Sequence, residues 1–518
     1  MFHAEQNSTS IWQSIDLPAL PALSENLETD VCVVGAGIAG LTTAYLLLKN
    51  GYRVTVLNRG SFGQNETGHT SAHLSYVLDD RFTHLIHIHG VKGARLAYES
   101  HSDAVDLIEK IVQEENIHCD FKRVDGYLFL SPSTRSSLLE DEMEACRRIG
   151  FRDMSLEVSP RYFATLGPCI HFPRQARIHP LKYLSGLLKA IQQMKGKVFN
   201  LTSVVEFQGG ENAYVTTDFG HKVTAQHIVV ATNVPVNDRV KIHAKEAAYR
   251  TYVIGIDVPA GTFPDILMWD TEDPYHYVRL IESTSPGIDT VLVGGEDHRV
   301  GQKFDKGPPH EELARWARER LGVSGKISYQ WSGQIIEPFD GLAFIGRNPG
   351  DKDNVYIASG DSGQGLTHGT LAGTVLRDLI QNVRNEWSDV YDPSRVSLRA
   401  MPQLVQEGFK STLPYEEHLH VRHDSLPADM QAGEGRILKD GLREIAVFCD
   451  EDNNIHSFSA VCPHLAGPLH WNDKEKTWDC PCHGSRFACT GEVINGPALG
   501  GMKSVPTPPL SREKTKSM

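Results

Sequence analysis

One stretch near the start of the chain, residues 30–57, has the pattern of a nucleotide-binding unit. After Asp30, the β-favouring run Val31–Val34 leads into Gly35, Gly37 and Gly40 at G-x-G-x-x-G spacing, and an apolar helix pattern and a second β-run follow. The first glycine permits the tight turn, the second lets the backbone approach a pyrophosphate, and the third lets the helix pack close to the strand. The stretch therefore predicts a dinucleotide-binding β-α-β unit.

The end of the second β-run departs from this fingerprint. An acidic residue usually holds the adenosine ribose there, but this chain has Asn58 followed by Arg59. Asn58 can accept a hydrogen bond from a ribose hydroxyl without charge assistance, whereas Arg59 suits the 2′-phosphate of NADP. The residues of this unit alone leave FAD and NADP both open.

Composition limits the class of protein. A chain of 518 residues suffices for two or three domains, and contents of 40% hydrophobic and 22% charged residues are those of a soluble globular protein. The net charge of −14 argues against nucleic acid or an anionic membrane as partner. No secretory pattern is evident, and the uncharged run 31–48 fits a buried β-α unit better than a membrane span. We expect a cytoplasmic protein without a membrane span.

Two further patterns lie in the middle of the chain. Residues 241–305 are rich in aromatic and β-branched residues, which predicts an antiparallel sheet forming one wall of a pocket. Residues 355–383 read as a strand, a glycine loop and a helix, whose backbone donors suit the pyrimidine ring of a flavin. No catalytic residue is identified. The candidates for the pocket are Tyr252, His276, Tyr277 and Trp331, although packing within the sheet is the commoner role for any single aromatic.

Together these motifs resemble the D-amino-acid-oxidase-like family of FAD-dependent oxidoreductases over residues 28–395. The resemblance rests on the glycine fingerprint, the segments Ile178–Leu181 and Ala231–Asn233, Trp331–Gln334 and the loop 360–369. It implies FAD rather than NADP, and oxidation of a C–N bond in an amine or amino acid by hydride transfer to the flavin. The FAD contacts that it implies are Gly35, Gly37, Ile38, Ala39, Gly40, Asn58, Arg59, Thr67, His69, Thr70, Ser71, Val205, Ala231, Thr232, Gly363, Gly365, Leu366 and Thr367.

Cysteines and histidines are interleaved near the end of the chain. Cys462-Pro-His464 is followed by Cys480-Pro-Cys-His483, which supplies two thiolates for one iron and two imidazoles for another, as in a Rieske [2Fe–2S] cluster. A structural zinc site is the competing interpretation, but such sites usually pair cysteine with cysteine and histidine with histidine along the chain. The pattern favours the cluster, with ligands Cys462, His464, Cys480 and His483.

This segment also resembles a Rieske domain through Cys480–Phe487 and Gly496-Pro497. Respiratory-type Rieske domains have a disulfide partner for the cysteine at Cys482, but Gly467 stands at that position, which puts the disulfide in doubt. They also have a tyrosine hydroxyl where this chain has Phe487, which removes one hydrogen bond to a cluster ligand. Ser485 can still donate to a cluster sulfur.

The predicted fold is an α/β, Rossmann-like FAD-binding domain with an interleaved antiparallel-sheet substrate domain, plus a small all-β Rieske domain. The predicted boundaries are an irregular lead-in at 1–27; an oxidoreductase at 28–395, with FAD-binding segments at about 28–92, 170–240 and 330–395 and substrate-domain segments at about 93–169 and 241–329; a linker at 396–430; and a Rieske domain at 431–512.

A flavin and a one-electron cluster in one chain predict an internal electron path. Our first hypothesis is an FAD-dependent dehydrogenase that oxidises a small-molecule amine and passes electrons singly through the cluster to an external carrier protein or acceptor. Two alternatives stay open: electron flow from a reduced carrier through the cluster to the flavin, and a non-catalytic redox sensor or carrier. A Rieske oxygenase is disfavoured because no mononuclear-iron pattern of two histidines and a carboxylate is apparent.

Overall fold

The computed structural model describes residues 9–160, 162–237, 241–282, 287–302, 307–400, 430–440 and 443–507. The chain divides into a larger unit, Ser8–His298 with Phe304–Met401, and a smaller unit, Met1–Asn7, Arg299–Lys303 and Pro402–Met518. Most of the predicted linker, the first eight residues of the predicted lead-in and the end of the predicted Rieske domain at 508–512 lie outside the described residues.

The larger unit contains the α/β part of the protein. Its helices are α1 (Ile38–Lys49), α2 (Phe82–Glu114), α3 (Leu138–Ile149), α4 (Pro180–Gln193), α5 (Pro309–Trp316), α6 (Gly365–Ile380) and α7 (Ser388–Tyr391). Its strands are β1 (Leu27–Val34), β2 (Val54–Leu57), β3 (His73–Leu74), β4 (Lys122–Phe129), β5 (Ser155–Glu157), β6 (Cys169–Arg177), β7 (Lys197–Phe199), β8 (Val204–Gln208), β9 (Tyr214–Thr217), β10 (Lys222–Val230), β11 (Glu246–Pro259), β12 (Leu267–Asp270), β13 (His276–Ile281), β14 (Ile288–Arg299), β15 (Ile327–Pro338), β16 (Phe344–Arg347) and β17 (Val355–Ser359).

The first sheet is mostly parallel, in the order β16-β17-β10-β1-β2-β7, with β9 paired to β10 and β8 paired to β9. The central strands β17, β10, β1, β2 and β7 pair in parallel, whereas β16 is antiparallel to β17. The last four residues of β1, all of β2 and all of β17 are buried, because helices cover both faces of such a sheet. The carboxyl ends of β1, β2, β10 and β17 meet at one edge, where α/β sheets bind ligands. The predicted Rossmann-like fold is confirmed.

The second sheet runs β15-β11-β14-β13-β12-β4-β6-β3, with β5 beside β6. β11 pairs antiparallel with β15, β13 with β12 and β14, and β6 with β3, β4 and β5, whereas β12 and β4 run in parallel. The strands β6 and β15 lie in this sheet, although segments 170–240 and 330–395 were predicted to be FAD-binding. Sheet membership depends on pairing between strands far apart in sequence, and a pattern within one strand does not report it.

The two faces of this second sheet pack into different cores. Alternation along β11 puts Tyr252, Ile254 and Ile256 into one cluster with α5, whereas Val253 joins the core that also contains the apolar residues of α1. Because successive side chains of a strand point to opposite faces, the sheet separates these two clusters. This separation decides which predicted pocket residues lie near the glycine loops.

The smaller unit is all-β in its described residues. Its strands are β18 (Gly435–Asp440), β19 (Arg443–Cys449), β20 (Ile455–Ser459), β21 (His470–Asn472), β22 (Thr477–Asp479), β23 (Arg486–Ala488) and β24 (Val493–Asn495). They form a three-stranded sheet, β18-β19-β20, and a four-stranded sheet, β21-β22-β23-β24, with antiparallel pairing throughout. The prediction of a small all-β C-terminal domain is confirmed. Across both units, no helix in the described ranges is long and apolar enough to cross a membrane.

Candidate functional site

The three glycines of the fingerprint occupy their positions for different structural reasons. Gly35 has a φ of +110°, and a Cβ there would lie 2.1 Å from the Ala231 carbonyl oxygen. A Cβ at Gly40 would lie 1.9 Å from the Gly35 carbonyl oxygen, so backbone packing demands both glycines. A Cβ at Gly37 would approach only Thr67 Oγ1, at 3.2 Å, among the described atoms. The structure therefore leaves open space beside Gly37 at the N-terminus of α1. This space, the cradle of the first glycine loop, fits an FAD pyrophosphate.

Residues predicted to hold the adenosine half lie around the same edge of the parallel sheet. Asn58 follows β2 and is 2% exposed, with its side-chain oxygen accepting from Asn65 Nδ2 at 3.0 Å and its Nδ2 donating to the Gly60 carbonyl at 2.8 Å. The predicted contact of Asn58 with a ribose hydroxyl stays a prediction. The remaining predicted residues of this half include exposed Arg59, exposed Val205 on β8, and Thr232 after β10, whose hydroxyl donates to the Val234 carbonyl.

The loop 67–71 is held from three sides. The Thr67 hydroxyl accepts from the backbone N–H of Ile38 at 3.3 Å, which joins the loop to the start of α1. The indole of Trp331 donates to the His69 carbonyl at 2.8 Å. Trp12, 1% exposed, donates to the Thr70 carbonyl at 2.7 Å. The predicted lead-in is largely irregular in its described part, yet its one short 3-10 helix, Ile11–Ser14, anchors this loop.

Arg279 supports the same loop from the antiparallel sheet. Its guanidinium donates to the carbonyls of Ser71 and Ala72 and lies 5.3 Å from the Trp12 ring. Burial, with a smaller contribution from the charge of Arg177, lowers the pKa of Arg279 to about 9. Sequence reasoning missed both Trp12 and Arg279, because a lone tryptophan in an irregular segment and an arginine in a strand carry no local motif.

The second glycine loop lies against a carboxylate that the sequence analysis also missed. Gly363 has a φ of +73°, and a Cβ there would lie 2.4 Å from Asp79 Oδ2. Asp79 accepts from Gln364 Nε2 at 2.9 Å and from the Tyr275 hydroxyl at 3.0 Å. Burial raises the pKa of Asp79 to about 7. Asp79 therefore links the antiparallel sheet to the segment that contains the predicted flavin contacts Gly363, Gly365, Leu366 and Thr367. The only sequence signal was the Asp79-Asp80 pair after an apolar run.

Two buried histidines fix the start of α6. His101 Nδ1 lies 2.8 Å from the Thr367 hydroxyl, which itself donates to the Gln364 carbonyl at 3.2 Å. His368 Nδ1 lies 2.7 Å from the Asp361 carbonyl. Burial lowers the pKa of His368 to about 4, so the ring is neutral and its Nδ1–H is the donor. The glycine loop is thus tied to α2 on one side and to itself on the other.

Two of the four pocket candidates, Tyr277 and Trp331, lie on the face of the antiparallel sheet that shares a core with α1. The Tyr277 hydroxyl lies 2.9 Å from Thr251 Oγ1, and its ring is 5.7 Å from the Tyr275 ring. Thr251 also hydrogen-bonds Asp297, whose pKa burial raises to about 7. Phenols and carboxyls therefore gather on this face. Tyr277 stands two positions after Tyr275, whose hydroxyl bonds Asp79.

The other two candidates, Tyr252 and His276, lie on the opposite face. Tyr252 packs in the cluster against α5, and His276 stacks on Trp316 of α5 at a ring distance of 4.4 Å. His276 Nδ1 lies 2.9 Å from Asp270 and its Nε2 lies 3.4 Å from Glu296. The structure does not bring these two residues together with the glycine loops, because strand alternation turns them away.

We predict that His276 makes stability depend on pH. Burial alone would lower its pKa, but the hydrogen bonds and charges of Asp270 and Glu296 outweigh burial and raise the pKa to about 9. A raised pKa stabilises the fold fully below the unfolded value of about 6.5, and this contribution, on the order of 3 kcal/mol, is lost as the pH rises to 9. Urea unfolding of wild type and His276→Gln across this range should show their difference shrinking. A constant difference would contradict the prediction.

The four predicted cluster ligands come from two loops of the smaller unit. Cys462 and Cys480 are 2% and 1% exposed, and their side chains are in hydrogen-bond contact. The rings of His464 and His483 lie 5.2 Å apart at 88°. Thiols thus meet thiols and imidazoles meet imidazoles across the two loops, which fits a cluster with one iron on sulfur and one on nitrogen.

Donors surround the sulfur side of this site. The backbone N–H groups of His464 and Leu465 and the hydroxyl of Ser485 hydrogen-bond the Cys462 sulfur. None of the nine cysteines, all of which lie in the described ranges, forms a disulfide, Cys482 included. A Cβ at Gly467 would lie 2.8 Å from Cys482 Sγ, which puts Gly467 where a disulfide partner would stand. Phe487 is fully buried and brings no hydroxyl.

Two family models match this chain. The model described as FAD dependent oxidoreductase (DAO) matches residues 30–379, and the Rieske [2Fe-2S] domain model matches residues 423–507. YhfW of Bacillus subtilis (strain 168), named for a Rieske 2Fe-2S iron-sulfur protein, is 32% identical over 509 residues, which cover 97% of this chain and 98% of the relative. Gamma-glutamylputrescine oxidoreductase of Escherichia coli (strain K12) is 27% identical over 387 residues, covering 69% of this chain and 85% of the relative.

Solved structures agree on the fold of the larger part. Glycine oxidase from Geobacillus kaustophilus superimposes with a TM-score of 0.59 at 16% identity, covering 72% of this chain and 100% of that chain. The family model that matches residues 30–379 and the relative that spans nearly the whole chain identify the family as well as the fold. The chain belongs to the DAO family of FAD-dependent oxidoreductases and carries a C-terminal Rieske [2Fe–2S] domain.

Proposed function

We propose that this oxidoreductase oxidises an amine or amino-acid-like substrate at FAD and passes the electrons singly through its Rieske cluster to an external one-electron acceptor. The observation that carries the proposal is the joint presence of the DAO fold and a complete, segregated set of cluster ligands in one chain. The names of the relatives support the substrate class, since gamma-glutamylputrescine and glycine both contain amines.

The proposed FAD contacts are those of the two glycine loops, the end of β2 and the loop 67–71. The proposed cluster ligands are Cys462, His464, Cys480 and His483. Bound FAD supplies a two-electron hydride acceptor, and the cluster supplies a one-electron relay. Tyr277 and Trp331 are proposed to line the substrate pocket, whereas Tyr252 and His276 pack against α5 on the opposite face of the sheet.

Asp79 is our proposed proton acceptor. An amine arrives largely protonated at neutral pH and has to lose that proton before a hydride can leave the carbon beside nitrogen. A carboxyl with a pKa of about 7 is well matched to accept it, at Oδ2, where the Tyr275 hydroxyl donates. Gly363 lies directly against Asp79, so the carboxyl borders the loop proposed to hold the flavin ring.

Anaerobic stopped-flow mixing with a panel of amines and amino acids tests this function. Bleaching of the flavin absorbance by an amine supports it, and its rate should rise with pH through about 7, because only the carboxylate form of Asp79 accepts a proton. Asp79→Asn should slow the bleaching and remove this pH dependence. Glu142→Gln is the matched control, since burial also raises the pKa of that carboxyl, which accepts from the backbone N–H groups of Phe82 and Thr83 rather than bordering the glycine loop. A panel without any bleaching would favour electron flow from the cluster to the flavin.

The cluster should have a midpoint potential in the lower part of the Rieske range of roughly −150 to +300 mV. Hydrogen bonds to the sulfurs stabilise the more negative reduced state, and this chain lacks both the disulfide at Gly467 and a hydroxyl at Phe487. An EPR-monitored redox titration measures the value. A midpoint near the top of the range would contradict this prediction.

A further inference from the structure

A short segment at the end of β14, residues 299–302, belongs to the smaller unit, although the chain supplies it far upstream of the proposed cluster ligands. Within this segment Gly301 has a φ of +76°. A Cβ added there would lie 2.9 Å from each of three atoms of Pro481, its backbone nitrogen among them. Pro481 directly follows the proposed ligand Cys480, so the segment packs against one of the two ligand loops.

The imidazole of His470 fixes the same glycine from another side. Its Nδ1 lies 2.6 Å from the Gly301 carbonyl oxygen, and since a carbonyl only accepts, Nδ1–H is the donor. His470 is the first residue of β21 and pairs with Asp479, the residue immediately before Cys480. A closed cycle of contacts therefore runs from His470 through Gly301 to the ligand loop, and returns along the chain to the strand partner of His470.

Packing has to determine where Pro481 lies. A proline has no backbone N–H, so no hydrogen bond from its own nitrogen can hold it. The surface that Gly301 offers is backbone, which cannot rotate away as a side chain can. Because the peptide bond between Cys480 and Pro481 is planar and rigid, the Cα of Cys480 follows any displacement of the proline nitrogen.

We propose that Gly301 is a positioning residue of the cluster site, which fixes Pro481 and through it the ligand Cys480, and that the hydrogen bond from His470 locks Gly301 in place. The matched Rieske model, residues 423–507, does not include Gly301. The cluster site of this chain is thus completed by a residue outside the Rieske sequence itself. The proposal rests on the proposed ligand set, in which Cys480 binds iron, and is independent of the substrate at the flavin.

EPR spectroscopy and iron analysis of the full-length holoprotein test the proposal. Gly301→Ala should shift the g values of the reduced cluster and lower the iron content, because the added Cβ displaces Pro481. Gly433→Ala is the matched control. Gly433 lies in the same unit with a φ of +77°, and its added Cβ would meet only Glu451 Oε1 among the described atoms, at 3.6 Å. This variant carries the same backbone strain and should keep the wild-type spectrum and iron content.

Two variants of His470 test the hydrogen bond, and they keep the proposal testable if Gly301→Ala does not fold. His470→Ala should shift the g values, whereas His470→Asn, which keeps an N–H donor near the position of Nδ1, should restore them toward wild type. Hydrogen exchange of the holoprotein should also be faster in the ligand loop 480–485 of His470→Ala than in that of Gly433→Ala.

Wild-type g values and iron content in both Gly301→Ala and His470→Ala would overturn the proposal. An equal shift in Gly433→Ala would overturn it as well, because backbone strain alone would then explain the result. Flavin bleaching by amines is recorded on the same samples. Its absence in every sample, wild type included, would refute the proposed function and leave the comparison of cluster spectra intact.

Discussion

Cys462→Ser is expected to give a protein that keeps FAD, lacks the Rieske EPR signal and turns over poorly with a one-electron acceptor. Cys462 is a buried proposed ligand, and its loss leaves one iron with only one of its two thiolates. Flavin reduction by substrate should be unaffected, since all proposed FAD contacts lie in the larger unit. Turnover should fall at least about tenfold, or about 1.4 kcal/mol in the barrier, because electrons lose their one-at-a-time outlet.

Iron analysis, flavin absorbance and acceptor turnover measure the three parts of this result separately. Cys489→Ser is the matched control and should keep iron and turnover, since Cys489 lies in the same core and is not a proposed ligand. His483→Ala should behave as Cys462→Ser does. Equal acceptor rates in wild type and both ligand variants would show that electrons leave the flavin without passing through the cluster.

Gly37→Ala is expected to release FAD from a protein that still folds. Gly37 has a φ of −83°, which alanine adopts readily, and the added Cβ would meet only Thr67 Oγ1 among the described atoms, at 3.2 Å. The methyl group would instead fill the cradle proposed for the pyrophosphate. The FAD dissociation constant should rise at least about tenfold, which is about 1.4 kcal/mol.

Gly40→Ala is the informative comparison. There the Cβ would meet the Gly35 carbonyl oxygen at 1.9 Å, so the backbone itself has to move and the fold should lose about 1–3 kcal/mol or more. Urea unfolding of the apoproteins and fluorescence titration with FAD separate the two effects. Similar losses of apoprotein stability in both variants would refute the assignment of the open space at Gly37.

Local motifs were enough to predict the two chemistries of this protein. Gly35, Gly37 and Gly40 report a turn and a helix start within six residues, and the interleaved pairs around Cys462 and Cys480 report a ligand set directly. Each motif carries its geometry in its own spacing. The sequence also put the disulfide in doubt, because Gly467 stands where respiratory-type domains have the partner cysteine, a position fixed by its spacing from the ligands.

Residues brought together only by folding could not be predicted in the same way. Asp79 becomes notable because Tyr275 and Gln364, which follow it by 196 and 285 positions in the sequence, hydrogen-bond to it in the fold. Burial sets its pKa, and burial depends on packing across the whole domain. The role of Trp12 likewise depends on a carbonyl 58 positions away. The face of Tyr252 depended on strand register, where a shift of one residue reverses every side chain.

The two cores on either side of the antiparallel sheet imply that this enzyme can be re-engineered one face at a time. Libraries that vary Thr251 and Tyr277 alter the chemistry of the proposed pocket, while Tyr252 and His276, one position away in each strand, keep the packing against α5 intact. Selecting variants for new amines should therefore carry a smaller loss of thermal tolerance than in a fold where the pocket wall and the scaffold share the same side chains.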